Sequence, residues 1–176
     1  MNTIPLPKRP AIFFDRDGVL NIDKGYVSRR EDFVWVDGAR QALALARSKE
    51  YLSIVVTNQS GIARGLYTLD DMHHLHEWMQ EDASQFSAKI DAFYFCPFHN
   101  EGSVLEFVVR DHPDRKPNPG MILRAAQDFN IDLKASLLIG DKETDLKAAE
   151  RAGVRSILFE GGNLYQTLQD WFDAQG

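Results

Sequence analysis

A chain of 176 residues, 44% hydrophobic and 26% charged, can bury one core and leaves no room for a second domain of ordinary size, so a single domain over 1–176 is expected. The formal net charge of -6 gives no general basic field, which argues against nucleic acid and anionic membranes as partners. The single cysteine, Cys96, excludes an intrachain disulfide framework; with no apolar signal core in residues 1–10 and no apolar run of about 18 residues, a cytoplasmic protein is expected.

After an irregular lead-in over residues 1–10, the run Ala11 to Phe14 is short, aromatic and unbroken by polar groups, as in a strand covered on both faces of a parallel sheet. It stops at Asp15-Arg16-Asp17-Gly18. Ligands of such sheets collect at the carboxyl ends of strands, where Asp15 and Asp17 fall. Two carboxylates about 4 Å apart repel by roughly 4 kcal/mol at an effective dielectric near 20, so they call for a cation, a shared proton or separate environments. Magnesium, a hard ion that takes oxygen ligands, meets that need; taken alone, the pair also fits a solvated turn.

Asn21 to Asp32 is polar with one glycine, a loop long enough to fold over the mouth of a site. Asp37 can cap a helix over 38–49 with Ala39, Ala42, Leu43 and Ala46 on one face. Leu52 to Val56 reads as a second buried strand and ends in Thr57-Asn58-Gln59-Ser60-Gly61. Thr68 can cap the next helix, which runs to about Ser87 and carries His73, His74 and His76, expected on a solvated face because no acid or thiolate accompanies them. Ala92 to Phe95 is a third strand, leading into an irregular stretch over 96–118. Asn118 followed by Pro119 predicts a cap and a first helical residue, for a helix ending near Phe129. Ser136 to Gly140 is a fourth strand, followed by Asp141-Lys142-Glu143-Thr144-Asp145 and a helix closed by Gly153. Ile157 to Phe159 and Leu164 to Ala174 complete a βαβαβαβαβ alternation. That alternation predicts an α/β fold, a doubly wound parallel sheet with helices on both faces.

Four polar clusters thus stand in order: Asp15 with Asp17, Thr57 with its followers, Arg115 with Lys116, and Asp141 with Asp145. Residues 13–21, 55–65, 115–121 and 139–145 together resemble the haloacid dehalogenase (HAD) superfamily of phosphotransferases. Within it they look like the family of heptose 1,7-bisphosphate phosphatases and histidinol-phosphatases. The resemblance implies a HAD-like Rossmannoid fold without a large cap domain and a magnesium-dependent phosphomonoesterase of a small phosphorylated sugar, in nucleotide-heptose and lipopolysaccharide-core synthesis. It implies Asp15 as nucleophile, Asp17 as general acid and base, Thr57 as a phosphoryl-binding group and Lys116 as the neutralising cation. The magnesium ligands it implies are Asp15, Asp141 and Asp17, the last through its backbone carbonyl, with Asp145 as a supporting carboxylate. Substrate selection falls by the same analogy to Asp23, Lys24, Gly25 and Tyr26, to Thr57, Asn58, Gln59 and Ser60, and to Arg115, Lys116 and Lys142. Arg115 and Lys142 suit a second phosphate. Small relatives without a cap imply a monomer.

Many members of that family hold a structural zinc in the loop before the Arg-Lys-Pro motif. Here only Cys96 stands in its expected place; His99, His112 and Asp114 offer a substitute donor set, and a metal-free loop held by packing is the expectation. Histidinol phosphate or another small phosphomonoester remains open as substrate. A receiver-like signalling module and a sugar-phosphate binding module are the readings outside enzymes. The first lacks an aspartate after the third strand, and the second has no need of an acid two residues from Asp15.

Overall fold

The computed structural model describes residues 7–176; of the lead-in expected over 1–10, residues 1–6 lie outside the described residues. Five strands, β1 (Ala11–Phe14), β2 (Leu52–Asn58), β3 (Ala92–Cys96), β4 (Leu137–Gly140) and β5 (Arg155–Leu158), form one sheet in the order β3-β2-β1-β4-β5. All neighbours are parallel, with Phe13 level with Ile54 on one side and Leu138 on the other. The central strand is wholly buried, which accounts for its unbroken apolar sequence.

The helices are α1 (Ala39–Ser48), α2 (Leu69–Ser84), α3 (Gly120–Asp128), α4 (Glu143–Ala152) and α5 (Leu164–Asp173). Side chains alternate across the sheet, so Ile12 and Phe14 join one core with Leu43 of α1, Met79 of α2 and Leu168 of α5. Ala11 and Phe13 face a second core with Met121 of α3 and Ala148 of α4. The helices therefore cover both faces, and among the described residues no large separate cap interrupts the alternation. Among the described residues, no helix is long and apolar enough to cross a membrane.

Several boundaries move, for local reasons. Thr68 does cap α2, in a reciprocal box with Asp71, but the helix stops at Ser84. Asp37 does not cap α1: Gly38, at φ 75°, takes that place, and Asp37 instead accepts from Asn163 Nδ2 at 2.9 Å, tying α1 to the start of α5. Pro119 is the N-cap of α3 and not its first residue, while Asn118 Nδ2 donates to Asp111 and to the His112 carbonyl. Gly153 closes α4 in the left-handed region, as expected. The fifth strand starts two residues earlier than its apolar run, because Arg155 and Ser156 sit on an exposed edge. His76 is buried and stacked on Phe93 at 4.3 Å, unlike exposed His73 and His74, which corrects the expectation of a solvated face for all three.

Candidate active site

Parallel strands put Asp15, Thr57 and Asp141 at one rim of the sheet. The Asp15 N–H donates to the Ile139 carbonyl at 3.0 Å, so the sheet ladder fixes where its side chain begins. Asp15 Oδ1 accepts from Lys116 Nζ at 2.9 Å and from the Arg16 N–H at 2.8 Å. Lys116 Nζ also donates to the Val56 carbonyl at 2.8 Å and pairs with Asp145 Oδ1 at 2.6 Å. Asn58 grips the backbone of this lysine from both sides, donating to its carbonyl and accepting its N–H, each at 3.1 Å. Burial pushes the Asp15 carboxyl up to about 7, against the pull of Lys116. Burial also opposes the charge on Lys116, but Asp15 and Asp145 outweigh it and hold the ammonium above its ordinary value.

Asp15, Asp141 and Asp145 each bring a carboxylate oxygen within 4.8 Å of the others. Gly18 permits this approach: its φ is +90°, and a Cβ there would lie 2.3 Å from Asp141 Oδ2. Asp141 Oδ1 is buried without a hydrogen-bond partner, an acceptor left over for a cation. Burial raises the Asp141 carboxyl, with Lys142 pulling the other way. Hard oxygen donors without sulfur or imidazole fit magnesium. Asp145, read from the sequence as a support, is part of this cluster. The Asp17 carboxylate is not.

Asp17 is held elsewhere. Its Oδ1 accepts from Arg16 Nη2 at 2.9 Å and Asn21 Nδ2 at 3.0 Å, and its Oδ2 accepts from Gln59 Nε2 at 3.0 Å. Gln59 Nε2 also donates to Thr57 Oγ1 at 2.8 Å, and its Oε1 accepts from the Tyr67 hydroxyl. Neither Tyr67 nor Asn21 was singled out in the sequence; a polar residue next to a catalytic motif is the one signal that marks Asn21, and nothing local marks Tyr67.

A cleft of about 420 Å³ opens over this rim. Asp23, Gly25 and Tyr26 of the flap line it, with Asn58, Gln59, Ser60, Arg115, Lys116 and Lys142, and so do Tyr67, Thr144 and Asp145. Thr57 and Lys24 do not: Thr57 is buried beneath Gln59, and Lys24 stands exposed on the flap. The flap bends sharply, with left-handed backbone at both Gly25 and Tyr26 and the Gly25 N–H donating to Asp23 Oδ1 at 2.9 Å. Lys142 Nζ lies 3.6 Å from Asp23 Oδ2, bridging flap and rim. Arg115 Nη1 donates to the Phe98 carbonyl at 3.3 Å, and burial lowers the pKa of its guanidinium.

In the loop before Arg115, each of the substitute zinc donors has a protein partner. Cys96 Sγ lies 3.8 Å from the Phe98 carbonyl, and burial pushes its thiol up to about 11, against metal-binding thiolate. His99 Nδ1 accepts from the Glu101 N–H, His112 Nδ1 from the Asp114 N–H, and Asp114 pairs with Arg124 at 3.1 Å. Phe98 stacks on His112 at 4.1 Å and packs against Phe107, so aromatic contacts hold the loop.

A lysine-paired carboxylate beside an acidic cluster at the carboxyl rim of such a sheet is the layout of a HAD-type phosphatase, and residues 114–171 match the family described as HAD-hydrolase-like. The chain belongs to the family of D-glycero-D-manno-heptose-1,7-bisphosphate 7-phosphatases. It is 50% identical to the D-glycero-alpha-D-manno-heptose-1,7-bisphosphate 7-phosphatase of Burkholderia mallei, over 86% of this chain and 79% of that one. It is 41% identical to the D-glycero-beta-D-manno-heptose-1,7-bisphosphate 7-phosphatase of Rhodopseudomonas palustris, over 92% of this chain and 89% of that one. Among solved structures, D,D-heptose 1,7-bisphosphate phosphatase from B. bronchiseptica, complexed with magnesium and phosphate, matches with a TM-score of 0.78 at 32% identity, covering 95% of this chain and 87% of that one.

Proposed function

We propose that this chain is a single-domain, magnesium-dependent phosphatase that removes the 7-phosphate of D-glycero-D-manno-heptose 1,7-bisphosphate, supplying nucleotide-heptose and lipopolysaccharide-core synthesis. The observation that carries the chemistry is the buried Asp15 carboxylate, 2.9 Å from Lys116 Nζ and within the acidic cluster, at the floor of a cleft open to solvent. The substrate rests on the relatives, which act on heptose bisphosphates.

Asp15 attacks phosphorus; the bond to the sugar oxygen breaks as Asp17 gives that oxygen a proton. Water then attacks the aspartyl-phosphate, Asp17 takes the proton back, and phosphate leaves with Asp15 restored. Lys116 balances charge on Asp15 and the phosphoryl oxygens, while Asn58 keeps the lysine in place. Asp15, Asp141 and the Asp17 carbonyl would hold magnesium with Asp145 beside them; when bound, the ion offsets the repulsion between phosphate and carboxylates. Arg115 and Lys142 line the cleft as the cations for the second phosphate, and Asp23, Gly25, Tyr26 and Ser60 face the sugar. Thr57 is the phosphoryl-binding hydroxyl, set by the hydrogen bond it accepts from Gln59. We place the chain in the cytoplasm as a monomer by analogy with small relatives that lack a cap, and its net charge of -6 argues against a nucleic-acid partner.

Magnesium-dependent phosphate release from the alpha and beta anomers of heptose 1,7-bisphosphate, run beside histidinol phosphate, tests the reading. A strong preference for a heptose anomer supports it. Preference for histidinol phosphate would move the substrate assignment while keeping the chemistry.

A further inference from the structure

Arg16 stands between the two aspartates of the motif, yet its side chain is wholly buried and does not line the cleft. A buried guanidinium is costly to desolvate and is retained where its donors are used. Nε is buried without a partner, but the two terminal nitrogens are used in three directions. Nη2 donates to Asp17 Oδ1 at 2.9 Å and to the Val27 carbonyl at the base of the flap, and Nη1 lies 3.3 Å from His76 Nε2. Arginine has donors only, so His76 Nε2 must accept, which makes this imidazole neutral with its proton on Nδ1. Burial, with the Arg16 charge adding to it, favours the same form. The ring is fixed in turn by stacking on Phe93 at 4.3 Å and 12°.

We propose that Arg16, oriented by neutral His76, is the positioning residue that aims the Asp17 carboxylate for proton transfer. The inference rests on the reading of Asp17 as general acid and base. His76 lies on α2, outside the lining of the cleft, and meets Asp17 through Arg16. Asn21 and Gln59 hold one Asp17 oxygen each, and Arg16 adds the one charged donor, on Oδ1, from a planar guanidinium itself anchored at Val27 and His76.

The test compares kcat/KM, which reports phosphoryl transfer to Asp15, for phenyl phosphate and 4-nitrophenyl phosphate. The two leaving groups are alike in size, but phenolate needs protonation far more than nitrophenolate. His76→Phe keeps the stack and removes the acceptor; it is expected to lower kcat/KM for phenyl phosphate about tenfold and leave 4-nitrophenyl phosphate within about threefold, a fraction of the 10²–10⁴ that general acids supply. His76→Gln, which returns an acceptor near the same point, restores the ratio, and Arg16→Lys shows the same selective loss as His76→Phe. Equal losses on both substrates, or none, overturn the proposal, since a merely structural role cannot distinguish leaving groups. Asp17→Asn run alongside separates the two ideas: if it loses both substrates equally, the acid role of Asp17 itself fails. If Asp17→Asn is selective and His76→Phe is not, only the positioning role fails.

Discussion

Replacing Lys116 by methionine keeps an unbranched side chain one atom shorter and deletes a charge that three groups share. Its ammonium lies 2.9 Å from Asp15 Oδ1 and 2.6 Å from Asp145 Oδ1, with the Val56 carbonyl at 2.8 Å. At an effective dielectric of about 20, each of these ion pairs attracts by roughly 6 kcal/mol before desolvation is subtracted. Breaking a buried pair by removing one partner costs about 3–5 kcal/mol, so metal-free Lys116→Met is expected to unfold at a distinctly lower temperature. The catalytic loss comes from a phosphoryl group that meets one positive charge fewer; for each unit of negative charge at about 4 Å that is roughly 4 kcal/mol, so kcat/KM should fall by at least about 10³. Lys116 also opposes the burial that pushes Asp15 up to about 7, so its removal moves the acid limb of the residual activity to higher pH. Steady-state phosphate release across pH, with magnesium below saturation so that the metal-free Asp15 carboxyl is sampled, reads both effects. Activity within tenfold of wild type and an unmoved acid limb would refute the reasoning.

Gly18→Ala places a methyl group 2.3 Å from Asp141 Oδ2 on a backbone at φ +90° and should weaken magnesium binding at least tenfold, measured by calorimetry, with a strain cost of about 1–3 kcal/mol in stability. Asp15, raised to about 7, binds its proton more tightly folded than unfolded. Its contribution to the stability of the metal-free protein is therefore present at low pH and lost as pH rises from about 4 through 7. Because magnesium must displace that proton, the rise in Tm on adding it should be larger at pH 8 than at pH 5, by differential scanning fluorimetry; an equal shift would contradict the Asp15 environment. Cys96, buried with its thiol up at about 11, should resist iodoacetamide at pH 8 in the folded protein and react after unfolding, as followed by intact mass.

Those features that were legible in the sequence are local ones. The apolar run into Asp15 marks a buried strand, parallel pairing then forces Asp15 and Asp141 onto one rim, and Gly18 directly after the pair is the residue that Asp141 packs against. What the sequence hid depends on side chains meeting from distant elements. Tyr67 reaches Gln59 from the turn before α2, and His76 reads as one of three surface histidines until the helix turns it onto Phe93 and Arg16. Asp145 stands four residues after Asp141 and in the first turn of α4, which suited a supporting role; only the fold shows it paired with Lys116 inside the carboxylate cluster. Asp37 and Asn118 carry good capping chemistry, but each spends its side chain on a tertiary partner, leaving Gly38 and Pro119 at the helix starts. Thr57 keeps its position in the motif at the end of β2, and only the fold shows Gln59 Nε2 donating to its hydroxyl.

The central claim is that the phosphoryl group passes through Asp15. Rapid acid quench of the magnesium-loaded protein turning over heptose 1,7-bisphosphate, followed by peptide mapping, tests it directly, with Asp17→Asn included to slow breakdown of the intermediate. One phosphoryl group on the peptide containing Asp15, absent in Asp15→Asn, is the predicted result. Phosphate release by Asp15→Asn at the wild-type rate, or a phosphoryl group carried on another residue, would contradict the account.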